Sequence, residues 1–141
     1  MEEMEIAELT TEIPPISYSN FETEVLELVN IYRTEKGLSQ LIFLDEISHQ
    51  ASNHNNHMIE KDEVCHHEFG KRFSALVNTV EADAVSENVA YGYRTADAVV
   101  QAWIKSKGHR ENMEGKHTHF GISILEDEEG KFYFTNIFVG K

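Results

Sequence analysis

The chain has 141 residues, 40% of them hydrophobic, which suits one domain with a buried core. Its 25 acidic residues outnumber 12 basic ones and give a net charge of −13. Such a field repels phosphate backbones and anionic lipid, so it disfavours nucleic-acid binding and docking on a membrane surface. Cys65 is the only cysteine, so no intrachain disulfide holds the fold. No apolar run approaches the ~18–20 residues of a membrane span. The first 20 residues lack both a basic and an apolar signal region. The chain is then either cytoplasmic or starts after a removed signal.

Residues 1–19 are expected to be an acidic flexible leader, with Glu2, Glu3, Glu5, Glu8 and Glu12 ahead of Pro14 and Pro15. Residues 20–141 form the globular domain. Ser19 and Glu22 have the spacing of a capping box, and Phe21, Val25, Leu28, Val29 and Tyr32 follow at helical intervals. Gly37 is the expected stop. Residues 38–44 are a short apolar link, after which Asp45 is expected to cap a second helix with Ile47, Ala51 and Met58 buried. That helix carries His49, His54 and His57, taken as solvated or hydrogen-bonded surface histidines because no His-Glu-x-x-His motif accompanies them.

A short third helix is expected over residues 69–77, with Arg72 available to hold an acidic partner, and a loop over 78–83. Residues 84–91 alternate like a strand, and Gly92 breaks it. Thr95 caps a fourth helix over 96–106, anchored by Trp103 and ended by Gly108, with one further turn over 109–113. Two strands joined by a turn at 127–130 close the chain, with Phe132, Phe134 and Phe138 on one face. Helices interleaved with an antiparallel sheet imply an α+β fold.

Three segments carry the candidate chemistry. Residues 86–92 read Ser-Glu-Asn-Val-Ala-Tyr-Gly, and they lie between His66 and His67 upstream and His109 downstream. Val29-Asn30, Arg33 and Gly37-Leu38 open the domain, and Trp103, Ser106, Gly108-His109-Arg110 and Asn112 follow the central strand. His119-Phe120-Gly121-Ile122 leads into the final aromatic strand. In this order and spacing the chain resembles the superfamily of cysteine-rich secretory proteins, antigen 5 and pathogenesis-related-1 proteins, known as CAP or SCP. The likeness is to its short, cysteine-poor bacterial branch and spans residues 21–141.

The resemblance implies a three-layer α/β/α sandwich with a small antiparallel sheet between helices. It also implies a cleft with a His/Glu/Glu/His tetrad that in some relatives binds zinc or another divalent ion. By position, His66, Glu87 and His109 match three members, with His67 the alternative to His66 if the register slips by one. Ser106 stands where the second glutamate is expected. Relatives are mostly secreted and bind lipids, sterols, cell-wall material or other proteins. The implied protein is therefore a monomeric, secreted or cell-envelope binding module.

Two imidazoles and a carboxylate can form an open facial set for Zn²⁺. Equally, Glu87 can hold His66 or His109 by charge-assisted hydrogen bonds with no metal, which would raise both histidine pKa values. Glu111 is the nearest acid that could replace the missing glutamate. Ser106, His109 and Glu87 make a hydrolase triad only on paper, since no Gly-x-Ser-x-Gly elbow surrounds Ser106. Two functions follow: a ligand-binding module without catalysis, or a divalent-metal-dependent hydrolase that is protease-like or directed at cell-wall polymers. Tyr91 and Tyr93 are the expected exposed rim of the cleft.

Overall fold

The computed structural model describes residues 16–141. Most of the expected leader, residues 1–15, lies outside the described residues. Residues 16–19 are docked on the body: the Ile16 N–H and the Tyr18 hydroxyl each reach the Asp45 carboxylate at 3.2 Å.

Among the described residues the elements follow in chain order as α1 (Asn20–Glu35), β1 (Ile42–Phe43), α2 (Asp45–Lys61), α3 (Phe69–Val80), β2 (Ala84–Tyr91), α4 (Ala96–Lys105), α5 (Lys107–Glu114), β3 (His119–Glu126) and β4 (Phe132–Gly140). The strands form one sheet in the order β1-β3-β4-β2. Helices cover both faces, so the fold is the α/β/α sandwich that the resemblance implies.

Side-chain alternation along the strands sorts the two faces. Phe120, Ile122, Ile124, Phe134 and Phe138 point to the layer of α1, α4 and α5, where they meet Val25, Leu26, Val29 and Trp103. Ile137 and Val139 point the other way, onto Ile47 and Ala51 of α2 and Leu76 and Val80 of α3. Each large side chain fully buried here contributes about 1.5–3 kcal/mol.

Gly121 sets how closely α2 lies on the sheet. A Cβ at this position would come 2.4 Å from the Ser48 nitrogen and 2.7 Å from the Ile47 carbonyl carbon. The contact is sealed by polar groups: the Ile122 N–H donates to Ser48 Oγ at 3.0 Å, and Asn55 donates to the Ser123 and Tyr133 carbonyls.

Several expected boundaries hold. The Ser19–Glu22 capping box is present in both directions, at 2.9 and 3.1 Å. Strand β2 covers the expected residues, and Thr95 caps α4.

Others move. The link over 38–44 contains β1, which pairs parallel with the start of β3, so the antiparallel sheet has one parallel edge pair. Two residues are too few to show an alternating pattern. Leu44, not Asp45, is the N-cap of α2, and the Asp45 side chain goes instead to residues 16 and 18. Helix α3 runs to Val80, because Val80 fills the core beside Leu76. Gly108 does not end a helix but lies inside α5. The break falls at Ser106, whose extended backbone (φ −98°, ψ 120°) closes α4 and opens α5.

Candidate functional site

Glu87 is the centre of the site. It sits on β2, where burial begins along the strand, and its side chain is 1% exposed. A buried carboxylate needs partners, and it has strong ones. Arg72 of α3 grips it through two hydrogen bonds, Nε to Oε1 and Nη2 to Oε2, both 2.8 Å. His66 Nδ1 lies 2.7 Å from Oε2. Burial raises the Glu87 pKa, but the hydrogen bonds from His66 and Arg72 and the Arg72 charge more than offset it, so the group stays below the usual glutamate value. Glu87 is therefore an anion held between two donors. Arg72 is the acid-holding residue anticipated from the sequence.

The segment carrying His66 is fixed from below. His54 Nε2 lies 2.6 Å from the Cys65 carbonyl, so that nitrogen carries the proton and donates. Arg72 Nη1 donates to the His67 carbonyl at 2.6 Å. The expectation that His54 is a surface histidine is wrong. It is 2% exposed, because the turn after α2 folds the chain back over it. Burial lowers its pKa, against opposing contributions from Cys65 and Glu87.

His66 and His67 diverge. His66 faces Glu87, whereas the His67 ring stacks on His57 with centroids 4.3 Å apart. His54, His57, His67 and Arg72 line a separate cavity of about 190 Å³, with Arg72 in its wall and its partner Glu87 in the wall of the cleft.

Helix α5 supplies the opposite wall. Asn112 donates to the Glu87 carbonyl (3.2 Å) and to the Asn88 side-chain oxygen (3.0 Å), and Asn88 donates to the His109 carbonyl (3.1 Å). These bonds hold His109 beside β2. Its Nδ1 lies 2.8 Å from Ser106 Oγ. The raised pKa expected for His109 is not found. Burial and the nearby His66 lower it, because Glu87 is turned towards His66 and Arg72. The same geometry breaks the paper triad, since Ser106 and His109 meet but Glu87 is committed elsewhere. Ser106 Oγ is instead spent on orienting the His109 ring.

His66, Glu87, Ser106 and His109 thus line one open cavity of about 360 Å³, together with Glu111 and Asn112. Among the described residues no group of three or more His, Cys, Asp or Glu side chains is arranged to hold a metal ion. Both Glu87 oxygens are engaged and a guanidinium lies against them, which suits an anchor better than a metal ligand. The two imidazoles are different. Each has Nδ1 held by a neighbour, which leaves Nε2 available.

The profile of the cysteine-rich secretory protein family, CAP, matches residues 26–140. The chain belongs to the CAP family. YkwD of Bacillus subtilis (strain 168) is 32% identical over 136 residues, covering 94% of this chain and 52% of that protein. The CAP domain described here thus spans about half the length of that relative. Among solved structures, an outer surface protein from Borrelia burgdorferi superposes with a TM-score of 0.79 at 19% identity, covering 89% of this chain and 96% of that one. An extracellular SCP-domain protein from Bacillus anthracis gives 0.73 at 22% identity, covering 92% and 45%. These likenesses show the fold.

Asn88 and Asn112 escaped the sequence reading as cleft residues. The available signal was an asparagine inside a strand, a residue type depleted there unless its amide has a partner. Removing the amide in Asn112→Ala is expected to leave Asn88 short of a partner inside this CAP domain. Stability should fall by about 1–3 kcal/mol in urea unfolding. The His109 ring signals should shift or broaden relative to the wild type. A variant with unchanged stability and unchanged His109 signals would show that this link does not hold α5.

Proposed function

We propose that this CAP domain is an exported or cell-envelope ligand-binding module, monomeric, with His66, Glu87, Ser106 and His109 as its recognition cleft. The observation that carries the reading is the Arg72–Glu87–His66 arrangement. A metal-dependent hydrolase of this layout needs a proton acceptor for water that is not itself holding the metal, and with both imidazoles given to the metal that role falls to Glu87. Here the central carboxylate is tied down by two donors. The extracellular and outer-surface nature of the solved neighbours supports the location. No helix among the described residues is long and apolar enough to cross a membrane.

Zinc, or another divalent cation, would be held by the Nε2 atoms of His66 and His109, with water or ligand completing the shell. When bound, such an ion supplies a Lewis-acidic contact for an oxygen or nitrogen of the ligand. Glu87 then orients His66, and Ser106 orients His109.

Calorimetric titration of chelator-stripped protein with Zn²⁺ tests this. Binding should vanish in His66→Ala and in His109→Ala. It should weaken about 10–100-fold in Glu87→Gln, as expected for a residue that positions a ligand. Complete loss in a folded Glu87→Gln variant would make Glu87 a metal ligand rather than a residue that only positions His66. Absence of heat in the wild type would leave the cleft as a metal-free polar site.

A further inference from the structure

The cleft does not end at His109. A second cavity, of about 260 Å³, shares Ser106 and His109 with it and continues along β2 over Ala102 and Trp103 to Tyr91 and Tyr93. From Glu87 to Tyr91 the strand rises about 13 Å, room for several linked units of a polymer. Both tyrosines are 37% exposed and yet fixed. Tyr91 packs on Tyr133 with centroids 4.7 Å apart and lies under the Lys131 ammonium at 5.8 Å. Tyr93 meets Phe134 edge-on at 6.5 Å. Gly92 between them has φ +88°, so the turn that presents both rings depends on glycine.

The backbone of this groove is closed to a peptide strand. Strand addition needs free carbonyls and N–H groups on the outer edge of β2. The Glu87 carbonyl already accepts from Asn112, and the Val89 carbonyl accepts from Trp103 Nε1 at 3.1 Å. The groove is also open and partly polar, unlike the enclosed apolar cavity an acyl chain or sterol would need. What remains is a pair of half-exposed tyrosines at one end and hydroxyl, imidazole and carboxylate groups at the other. The charge of −13 repels polyanionic chains.

From this geometry we infer that the groove from Tyr91 and Tyr93 to His109 binds an uncharged β-1,4-linked saccharide chain. Its equatorial linkages give a ribbon whose C–H face lies on the Tyr93 ring, with Tyr91 beside it under Lys131, and whose hydroxyls reach Ser106 and His109. The inference rests on the cleft being a ligand site and names its ligand class.

Two-dimensional NMR of the full chain, titrated with chitotetraose and cellotetraose, tests it. At least one should shift the signals of Tyr91, Tyr93 and His109 together. Tyr93→Ala, an exposed change, should weaken that binding about tenfold, the size of one good aromatic contact. It should leave Zn²⁺ binding intact. Proline-rich peptide and neutral phosphatidylcholine vesicles are the competing probes and should leave these signals unmoved. If neither sugar shifts them, or if Tyr93→Ala binds sugar as the wild type does, the saccharide inference falls. Zn²⁺ or peptide binding at His66 and His109 in that case would leave the ligand-module reading standing. No response to any probe would remove both.

Discussion

Glu87→Gln is expected to cost about 3–5 kcal/mol, the usual effect of removing one partner from a buried ion pair. Arg72 is 7% exposed and Glu87 4%, so the stranded guanidinium cannot simply turn to water. Glutamine offers one acceptor and one NH₂ group, and that NH₂ would face the donors of Arg72 or His66. In thermal unfolding the loss corresponds to a fall of about 10 °C or more. Replacing both partners, Glu87→Met with Arg72→Met, should recover much of the stability, since paired charges replaced by apolar side chains are often neutral. The double variant should nevertheless bind Zn²⁺ weakly, because His66 has lost its orienting carboxylate. Recovery of stability together with full zinc affinity would show that the pair has no role in the cleft.

The same substitution changes the response to acid. The folded pKa of Glu87 lies below its unfolded value, so its contribution is complete above about pH 4.3 and is lost as pH falls through the folded value. Glu87→Gln should remove this limb of the stability curve, measured with chelator present. Buried His54, also held below its usual value, contributes a separate loss as pH falls below about 6.5. That limb should persist in the variant. Parallel wild-type and variant curves below pH 4.3 would refute the assignment.

Local signals made the scaffold legible. The capping box at Ser19, the alternation over 84–91, and Thr95 ahead of an apolar helix each state their structure within a few residues. The family pattern then brought His66, Glu87 and His109 to one cleft. The partners of these residues were harder to read, because they come from distant elements. Arg72 and Glu87 are separated by 15 positions, and Asn112 and Glu87 by 25. The sequence offered His66 or His109 as partners for Glu87 and an unnamed acid as partner for Arg72, but did not join Arg72 to Glu87. His54 was misplaced for a related reason. Its helix shows histidines at positions 54 and 57, and only the packing of the turn at Cys65 buries one and leaves the other half-exposed. Gly108 was misread because glycine is a good stop signal on average, whereas here the change of direction is taken by Ser106.

Gly121→Ala should also be strongly damaging, at about 3 kcal/mol, although it adds only one methyl group. The methyl would fall on backbone atoms of α2, at 2.4 and 2.7 Å, and backbone cannot rotate away. Either α2 lifts from β3 or the strand bends. Lifting α2 would stretch the Ser48–Ile122 and Asn55–Ser123 bonds and shift His54, which supports the Cys65 carbonyl and hence His66. Loss of stability should therefore come with a displaced His66 signal in the folded fraction, some distance from the mutation. Gly92→Ala is the useful contrast. Nothing lies within 4 Å of a Cβ there, and its φ of +88° makes the cost purely conformational, about 1–2 kcal/mol. That change should move Tyr91 and Tyr93 and leave His66 in place. Equal losses in the two variants, or an unmoved His66 in Gly121→Ala, would show that α2 does not transmit its seating on the sheet to the cleft.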